Sequence, residues 1–369
     1  MTIRTVSSFI MHVPVTGPQI ADSTHAITHW GVVGARVELE DGTAGFGFTG
    51  THAHLPSDRL IAAAVDDCYA PLLEGVEFGH PRAHYRALFT HPPLQWVGRA
   101  GLLQLALCAV DVALWDAYAK TLGKPLWAVV GGPARETVQA YNTDVGWLSF
   151  DQAQLVANVK RAVDEGFTAV KMKVGADRLE TDVARCEAVR AAVGREITVA
   201  TDANGKWDLP TAQRFARKTA GLGLFWIEEP LWYDDVEAHR ELASTTDLPV
   251  ALGEQVYNPE SMAQFIRRKA LHFVQPDVTR IGGVTGFLDA AAHAQAAGLP
   301  VAAHAGEMSQ VHLHLAYALP SHTMLEYIPW IAHCFAEPAT VRNGRFVRPD
   351  EPGASTTPTD EAWEKYRVG

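Results

Sequence analysis

Short apolar runs recur through the middle of the chain at nearly regular intervals. They start about 22 to 32 residues apart, and most are separated by an amphipathic stretch that ends in glycine. The runs are TVQAY (137), AVKMKV (169), ITVATD (197), LFWIEE (224), PVALGE (249), HFVQPD (272), PVAAH (300) and TMLEY (323). This alternation predicts repeated strand–helix units, and eight strands is the number that closes a parallel α/β barrel.

The chain before this repeat has a different pattern. Two extended segments meet at Asp41-Gly42, which is a strong hairpin signal, and the N-terminal IRTVSSFIMHV alternates like a third strand. Helical patterns follow near 57–70, 81–90 and 99–121. We therefore predict an α+β domain over 1–125, a barrel over 126–330, and a C-terminal segment over 331–369 that packs back on the rest.

An open doubly wound sheet is the alternative to a barrel. Such a sheet commonly carries a glycine-rich phosphate loop after its first strand, and none is present there. The segment IGGVTG (281–286) lacks the GxGxxG spacing and follows the sixth run, so it does not support nucleotide binding.

Composition narrows the class of protein further. The 369 residues carry a net charge of -11, which argues against a nucleic-acid partner. The four cysteines form no CxxC, and the N-terminus has no signal-peptide pattern, so we expect a cytoplasmic protein. The most apolar run, 101–119, contains Gln104, Asp111 and Asp116, which indicates a buried helix rather than a membrane span.

Acidic residues follow three consecutive runs of the predicted barrel. Asp202, Glu228 and Glu254 are spaced by 26 residues and fall where strands end, which is where barrel enzymes hold their chemistry. Three carboxylates there would repel one another, and a divalent cation with oxygen ligands, such as Mg²⁺, would relieve this. Each acid alone could instead pair with a lysine or cap a helix. The apolar pattern does not decide between Glu228 and its neighbour Glu229.

Two lysines occupy the second run. Lys171 and Lys173 are two residues apart, so they share one face of a strand. Burial and like charge both lower a lysine pKa, so one of the pair is expected to be neutral and to act as a base. The alternative is two lysines that each reach out to pair with an acid.

The opposite side of the predicted barrel offers a second proton carrier. Asp277 and His304 end neighbouring runs, and a carboxylate behind an imidazole fixes its tautomer. Glu326 would either hydrogen-bond a substrate carboxylate in its protonated form or form an ion pair with Lys171. Asn204 would reach a metal water or substrate, or simply form the turn before Gly205. Together these groups suit removal of a proton next to a carboxylate.

The motifs together resemble the mandelate racemase subgroup of the enolase superfamily. They are VKMKVG, TDANG, WIEEP, LGEQ, QPDVTRIGGVTG, AAHAG and LEY, in this order. The resemblance implies an α+β capping domain over a modified TIM barrel, (β/α)7β, with residues 331–369 packing back on the cap.

The resemblance also implies roles for individual residues. It implies Mg²⁺ held by Asp202, Glu228 and Glu254. Lys173 would be one base, with Lys171 tuning it, and His304 with Asp277 would be the acid or base on the other face. Glu326 and Asn204 would contact substrate. A homo-oligomer is expected on the same ground.

In the same family, loops of the cap select the substrate. Here they would be residues 15–30 and 49–56, and the candidates for substrate contacts are His25, His29, His52, His54 and Trp30. Trp96 could add a second aromatic wall. The HxH pairs His52/His54 and His312/His314 have the spacing of some zinc-binding sites, but we prefer to interpret all four as solvated histidines.

The expected reaction is Mg²⁺-dependent dehydration of an acid sugar, an aldonate or aldarate, to a 2-keto-3-deoxy acid. The alternative is a racemase, epimerase or cycloisomerase that uses the same Lys and His–Asp groups. A barrel amidohydrolase would need HxH on the first strand, and TVQAYNTDVGW has none. A non-catalytic sugar-acid-binding relative would have lost a base or a metal ligand, and none is lost.

Overall fold

The first part of the chain is a three-stranded antiparallel sheet covered by helices. The computed structural model describes residues 1–52, 54–306 and 309–368. The strands are β1 (Ile3–Pro14), β4 (His29–Leu39) and β5 (Ala44–Thr49), in the order β1-β4-β5, and the Asp41-Gly42 turn joins the last two. A two-residue hairpin, β2 (Ile20–Ala21) and β3 (Ala26–Ile27), stands apart from this sheet and was not expected.

One long helix forms the centre of this domain. The helices are α1 (Asp58–Ala63), α2 (Ala70–Leu73), α3 (Pro81–Phe89), α4 (Pro92–Gln95) and α5 (Leu102–Thr121), with a 3₁₀ turn at Leu55–Ser57 and a π-helical stretch at Ala64–Tyr69. Within the part of the chain that the structure describes, α5 is the one helix long and apolar enough to cross a membrane, but it is buried against β4 and β5. The prediction of a buried core helix is confirmed.

The middle of the chain is a closed parallel barrel. Its strands are β6 (Val138–Asn142), β7 (Ala169–Lys173), β8 (Thr198–Asp202), β9 (Ile227–Glu228), β10 (Val250–Leu252), β11 (Phe273–Val274) and β12 (Met324–Tyr327). Neighbours in the chain pair in order from β6 to β11, and β12 pairs with β6. The seventh run contributes one residue, Val301, which bridges Val274 on one side and His322 on the other and so closes the ring.

Helices between the strands surround this ring, as a (β/α)7β barrel requires. They are α7 (Gln152–Asp164), α8 (Leu179–Val193), α9 (Leu209–Thr219), α10 (Val236–Thr245), α11 (Pro259–Arg267), α12 (Gly283–Ala296) and α13 (Ser309–Ala318), and a short α6 (Leu126–Val129) precedes the barrel. Short 3₁₀ turns occupy Ala220–Leu222 and Ala332–Cys334. The barrel interior is filled by a separate cluster that includes Tyr141, Ala169 and Trp226.

The C-terminal segment contacts both parts of the molecule. Its hairpin, β13 (Val341–Arg342) and β14 (Arg345–Phe346), extends the barrel sheet because β14 pairs antiparallel with β6. Its last helix, α14 (Asp360–Tyr366), lies against β1, where the rings of Phe9 and Trp363 are 5.0 Å apart.

Candidate active site

A cavity lies where the carboxyl ends of the barrel strands meet the N-terminal domain. The space between its lining residues, part of which is continuous with solvent, is ≈ 480 Å³. Barrel residues at its floor include Lys173, Asn204, Glu254, His304 and Glu326. The N-terminal domain contributes Asp22, Thr24, His25, Ile27, Trp30 and His52.

Three carboxylates converge at the ends of β8, β9 and β10. Asp202, Glu228 and Glu254 each offer an oxygen, and these oxygens lie within 4.8 Å of one another, with all three residues buried. Burial, together with the nearby acids Asp202, Glu326 and Glu254, outweighs the opposing effect of Lys171 and raises the pKa of Glu228 to about 8. Such an all-oxygen cluster of hard ligands suits Mg²⁺, so the donor set fits the expected ion.

Glu228 rather than Glu229 joins the cluster. Glu229 ends the strand in the left-handed region, with φ +40°, so its side chain takes a different direction. One of its oxygens accepts a hydrogen bond from the backbone N–H of Gln255 at 3.3 Å. Burial and the neighbouring acids raise the pKa of Glu229 well above its usual range.

Neutral donors fix the second oxygen of Glu228. Gln275 Nε2 donates to Oε2 at 2.8 Å, and Trp226 Nε1 donates to the same atom at 3.2 Å. Lys171 Nζ holds Oε1 at 2.6 Å. Sequence reasoning missed Gln275, although it immediately precedes the Pro276-Asp277 pair that ends its strand.

The two lysines share a face, and both are ion-paired. Lys171 Nζ lies 2.6 Å from Glu228, 2.8 Å from Glu326 and 3.4 Å from Asp202. Lys173 Nζ lies 2.6 Å from Asp202 Oδ2 and 5.5 Å from the centre of the Trp147 ring.

The expectation of a neutral lysine is wrong for the protein without a bound cation. Burial lowers the pKa of Lys173, but Asp202, Glu254 and Asp22 together raise it by more, so the pKa lies above its usual value. The pKa of Lys171 is likewise raised, because Glu228 and Glu326 outweigh its burial. The alternative, in which each lysine pairs with an acid, is the one that the ion pairs of Lys171 and Lys173 match.

Glu326 is an ion-pair partner of Lys171. Burial raises the pKa of Glu326, but the nearby charges of Lys171 and His304 lower it by more, so the pKa lies below its usual range. Thr143 Oγ1 donates to Oε1 at 2.6 Å, and the backbone N–H of Ala305 donates to Oε2 at 3.1 Å. Of the two alternatives for Glu326, the structure therefore favours the ion pair over a protonated carboxyl.

His304 and Asp277 form the dyad that the neighbouring strand ends suggested. His304 Nδ1 lies 2.6 Å from Asp277 Oδ2, and its Nε2 faces Glu254 Oε2 at 3.1 Å. Burial lowers the pKa of His304, but Glu254, Glu326 and Asp277 together raise it to about 10. Asp277 stays ionised, because its contacts with His304 and with the nearby His312 ring outweigh its burial and keep its pKa well below the usual range.

Comparison with known proteins identifies the architecture. The profile described as enolase C-terminal domain-like matches residues 154–362, and that of the mandelate racemase / muconate lactonizing enzyme N-terminal domain matches residues 5–131. The chain belongs to the enolase superfamily. It is 34% identical over 350 residues to L-talarate/galactarate dehydratase of Salmonella typhimurium, which spans 91% of this chain and 82% of that protein.

One further relative and one solved structure align over the whole chain. The 3,6-anhydro-alpha-L-galactonate cycloisomerase of Streptomyces coelicolor is 31% identical over 369 residues, which is 100% of both chains. The crystal structure of the Salmonella dehydratase with Mg and L-lyxarohydroxamate superposes with a TM-score of 0.92, 32% identity, and coverage of 100% of this chain and 93% of that one. Magnesium in such neighbours, together with the acidic triad, makes Mg²⁺ the cofactor of this chain.

The predicted substrate-contact residues of this superfamily member do not all reach the cavity. His25, His52 and Trp30 line it, as does Asn204. His29 is half-buried beside Thr28, and His54 is exposed beside Ser57, so both lie outside the described lining. Trp96, at 93% exposure, forms no aromatic wall of the cavity.

The second HxH pair lies in the interior rather than in solvent. His312 and His314 are completely buried on α13, so the preferred solvated interpretation is wrong for them. His312 Nε2 accepts a hydrogen bond from the backbone of Val278 at 3.0 Å, next to the dyad's Asp277. Every residue of α13 from Ser309 to Ala318 is buried, so both histidines lie on a helix that is surrounded by protein.

Several lining residues were missed at the sequence level. Trp147, Tyr233 and Asp22 line the cavity, and Tyr233 donates through its hydroxyl to the backbone oxygen of Asn204 at 3.0 Å. Asp22 begins the turn Asp-Ser-Thr-His between β2 and β3. Its position before Ser and Thr is a turn signal that could have been read from the sequence.

Proposed function

We propose that this enzyme dehydrates an acid sugar to a 2-keto-3-deoxy acid. The single observation that carries the proposal is the placement of two proton-carrying groups on different walls of one cavity. Lys173 ends the second barrel strand, and His304 follows the seventh, so the acids on the third to fifth strands lie between them in the ring. L-Talarate/galactarate dehydratase, with which the chain shares 34% identity, is named for this class of reaction.

The substrate carboxylate would lie against the acidic triad and Lys171. Bound Mg²⁺ would supply positive charge to this carboxylate and to the negative charge that develops on it during proton removal. Asp202, Glu228 and Glu254 would hold the ion. Lys171, paired with Glu228 and Glu326, would keep the remaining negative charge of the site compensated.

Lys173 would accept the proton from the carbon next to the carboxylate. Its Nζ faces the cavity, and Trp147 packs beside it. The electron pair of the broken C–H bond then expels the 3-hydroxyl, which leaves as water with a proton from His304 Nε2. Asp277 holds Nδ1 of the same ring, so that Nε2 faces the substrate. The resulting enol tautomerises to the 2-keto acid.

A panel of aldonates and aldarates with Mg²⁺ tests this proposal. We expect at least one acid to yield a 2-keto acid, and Lys173→Ala and His304→Ala to lower kcat by at least about 10²-fold, the usual size of an acid–base contribution. Lys160→Ala and His293→Ala, at exposed helix positions, are the matched controls. No keto acid from any substrate, or full turnover by both cavity variants, would contradict the proposal.

A cycloisomerase is the second candidate, because the Streptomyces cycloisomerase aligns with this chain end to end. The same two groups would remove the α-proton and protonate a ring oxygen as the leaving group, so that no water is released. An anhydro-aldonate belongs in the panel for this reason. A keto acid with the mass of its substrate indicates ring opening, whereas dehydration lowers the mass by one water. Deuterium from D₂O in recovered substrate, without keto acid, would indicate racemisation.

A further inference from the structure

The cap side of the cavity carries a fixed carboxylate that has no role in the proposed chemistry. Asp22 lies in the turn between β2 and β3, lines the cavity, and has a side chain only 5% exposed. Its neighbour Ser23 donates to the backbone oxygen of Ala203 at 2.8 Å, which ties the turn to the end of β8. The turn is therefore anchored beside the metal-binding end of the barrel.

Hydrogen bonds to Asp22 all reach one of its oxygens. Oδ1 accepts from the backbone N–H of Thr24 at 2.7 Å, from Thr24 Oγ1 at 2.7 Å and from the backbone N–H of His25 at 2.9 Å. The His25 ring nitrogen Nδ1 is 3.2 Å from the same atom. This pattern fixes the carboxylate, and none of these hydrogen bonds uses Oδ2.

Asp22 is negatively charged in this setting. Burial opposes ionisation, but the contacts with His25 and Thr24 and the nearby charge of Lys173 hold its pKa below the usual range. Among the described residues that line the cavity, Lys173 is the sole lysine or arginine, and it is paired with Asp202. His304, which also lines the cavity, lies against Asp277 and Glu254.

We propose that Asp22 restricts the substrate to acids with a single carboxylate, so that aldonates are preferred over aldarates. The inference rests on the proposed function, since it assumes that the first carboxylate lies at the metal end. A second carboxylate at the cap end would face Asp22 in a site with little water, where like charges repel strongly. A hydroxyl at the same place donates to Oδ2 and replaces a hydrogen bond to water.

Asp22→Asn tests the effect of the negative charge separately from the role of Asp22 in the structure of the turn. Asparagine keeps Oδ1 as the acceptor for Thr24 and His25, and it removes the negative charge. The probes are matched pairs with one configuration, such as galactonate with galactarate and gluconate with glucarate. Each is measured with Mg²⁺ for kcat/KM of keto-acid formation and, by calorimetry, for its Kd.

We expect the unsubstituted enzyme to favour the aldonate at least tenfold in its best pair. We expect Asp22→Asn to reduce that ratio at least fivefold, mainly because kcat/KM for the aldarate rises. The exposed Asp177→Asn is the control and is expected to leave the ratio unchanged. A purely structural role for Asp22 would weaken both acids equally and leave the ratio as it was, which would overturn the inference.

The two measurements separate this inference from the proposed function. If keto acid forms and the aldarate is used as well as or better than the aldonate, the inference is wrong and the dehydratase proposal stands. If no acid is converted, the dehydratase proposal is wrong, and the calorimetric ratio still reports on Asp22. Equal binding of the paired acids by both the unsubstituted and the Asp22→Asn protein would then reject the inference too.

Discussion

At the scale of single residues, three hydrogen-bond donors fix the direction of the Glu228 carboxylate. Glu228 is held by Lys171 at one oxygen and by Gln275 and Trp226 at the other. A carboxylate that is free to rotate would lose entropy when it binds an ion, so the donors that fix it raise its affinity for the ion. Gln275 is buried and reaches Glu228 from the end of β11, two strands away in the barrel, which makes it a positioning residue.

Replacing Gln275 by leucine tests this role. We expect Gln275→Leu to weaken Mg²⁺ binding by 10- to 100-fold, on the order of magnitude found when partners of metal ligands are removed. Calorimetric titration with Mg²⁺ gives the Kd directly. Because no proton carrier is changed, kcat at saturating Mg²⁺ should fall much less than the affinity.

Gln264→Leu, on the exposed face of α11, is the matched control for this experiment. Unchanged Mg²⁺ affinity in Gln275→Leu would show that Lys171 and Trp226 alone fix Glu228.

The three acids of the triad were predictable from the sequence because they occur at regular intervals along the chain. Asp202, Glu228 and Glu254 each end a strand of one barrel, so regular spacing brings their oxygens within 4.8 Å. Asp22 reaches the same cavity from a turn about 180 residues earlier in the chain than the Ala203 that its neighbour contacts. No local pattern encodes that contact, since it depends on how two domains meet.

At the scale of elements, β5 of the cap sheet lies so close to α5 that two of its positions have no room for a side chain. A Cβ added at Gly47 of β5 would lie 2.2 Å from the backbone oxygen of Ala109 and 2.4 Å from the backbone nitrogen of Ala113. A Cβ at Gly45 would meet the backbone of α5 in the same way. These glycines allow β5 and α5 to approach closely. The atoms that an added Cβ would meet belong to the helix backbone, which cannot change rotamer as a side chain can.

Gly47→Ala should therefore push β5 away from α5. We expect a loss of roughly 1–3 kcal/mol or more in the free energy of unfolding, the usual cost of overpacking a tight interior. Urea unfolding followed by circular dichroism measures it. Gly79→Ala, where the added Cβ meets nothing within 4 Å, is the control. Equal stability of the two variants would mean that the helix and sheet separate at no cost.

Apolar runs predicted where the barrel strands lie better than they predicted how long each ladder is. The run LFWIEE forms only Ile227–Glu228 as strand, because Glu229 adopts a positive φ and ends the pairing. The run PVAAH contributes a single residue, Val301, which bridges both of its neighbours. Hydrophobicity reports that a segment is buried, whereas ladder length depends on backbone angles that hydrophobicity does not fix.

At the scale of the whole molecule, a buried histidine connects three separate parts of the chain. His314 Nδ1 accepts a hydrogen bond from the backbone N–H of Trp127 at 3.3 Å, and its Nε2 lies 2.9 Å from Ser355 Oγ. Ser355 in turn donates to Glu337 at 2.5 Å. The ring thus joins α13 of the barrel to the segment that enters the barrel and to the C-terminal segment.

The protonation of His314 links this junction to pH. Burial lowers its pKa to about 3, so the folded protein holds it neutral, whereas in the unfolded chain it titrates near 6.5. Because the folded-state pKa is depressed, its contribution to stability is fully present above about pH 6.5 and is lost as the pH falls towards 3. One proton taken up on unfolding corresponds to about 1.4 kcal/mol of unfolding free energy per pH unit.

His314→Gln removes this titration and keeps a donor for Ser355. We expect the variant to be less stable than the unsubstituted protein at pH 7.5, because the N–H of Trp127 loses its acceptor. Between pH 6 and 4, however, its unfolding free energy should fall less steeply, by up to about 1.4 kcal/mol per pH unit. His293→Gln, on the exposed side of α12, should leave the slope unchanged. Parallel pH profiles for His314→Gln and the unsubstituted protein would show that the folded state already accepts a proton at this junction.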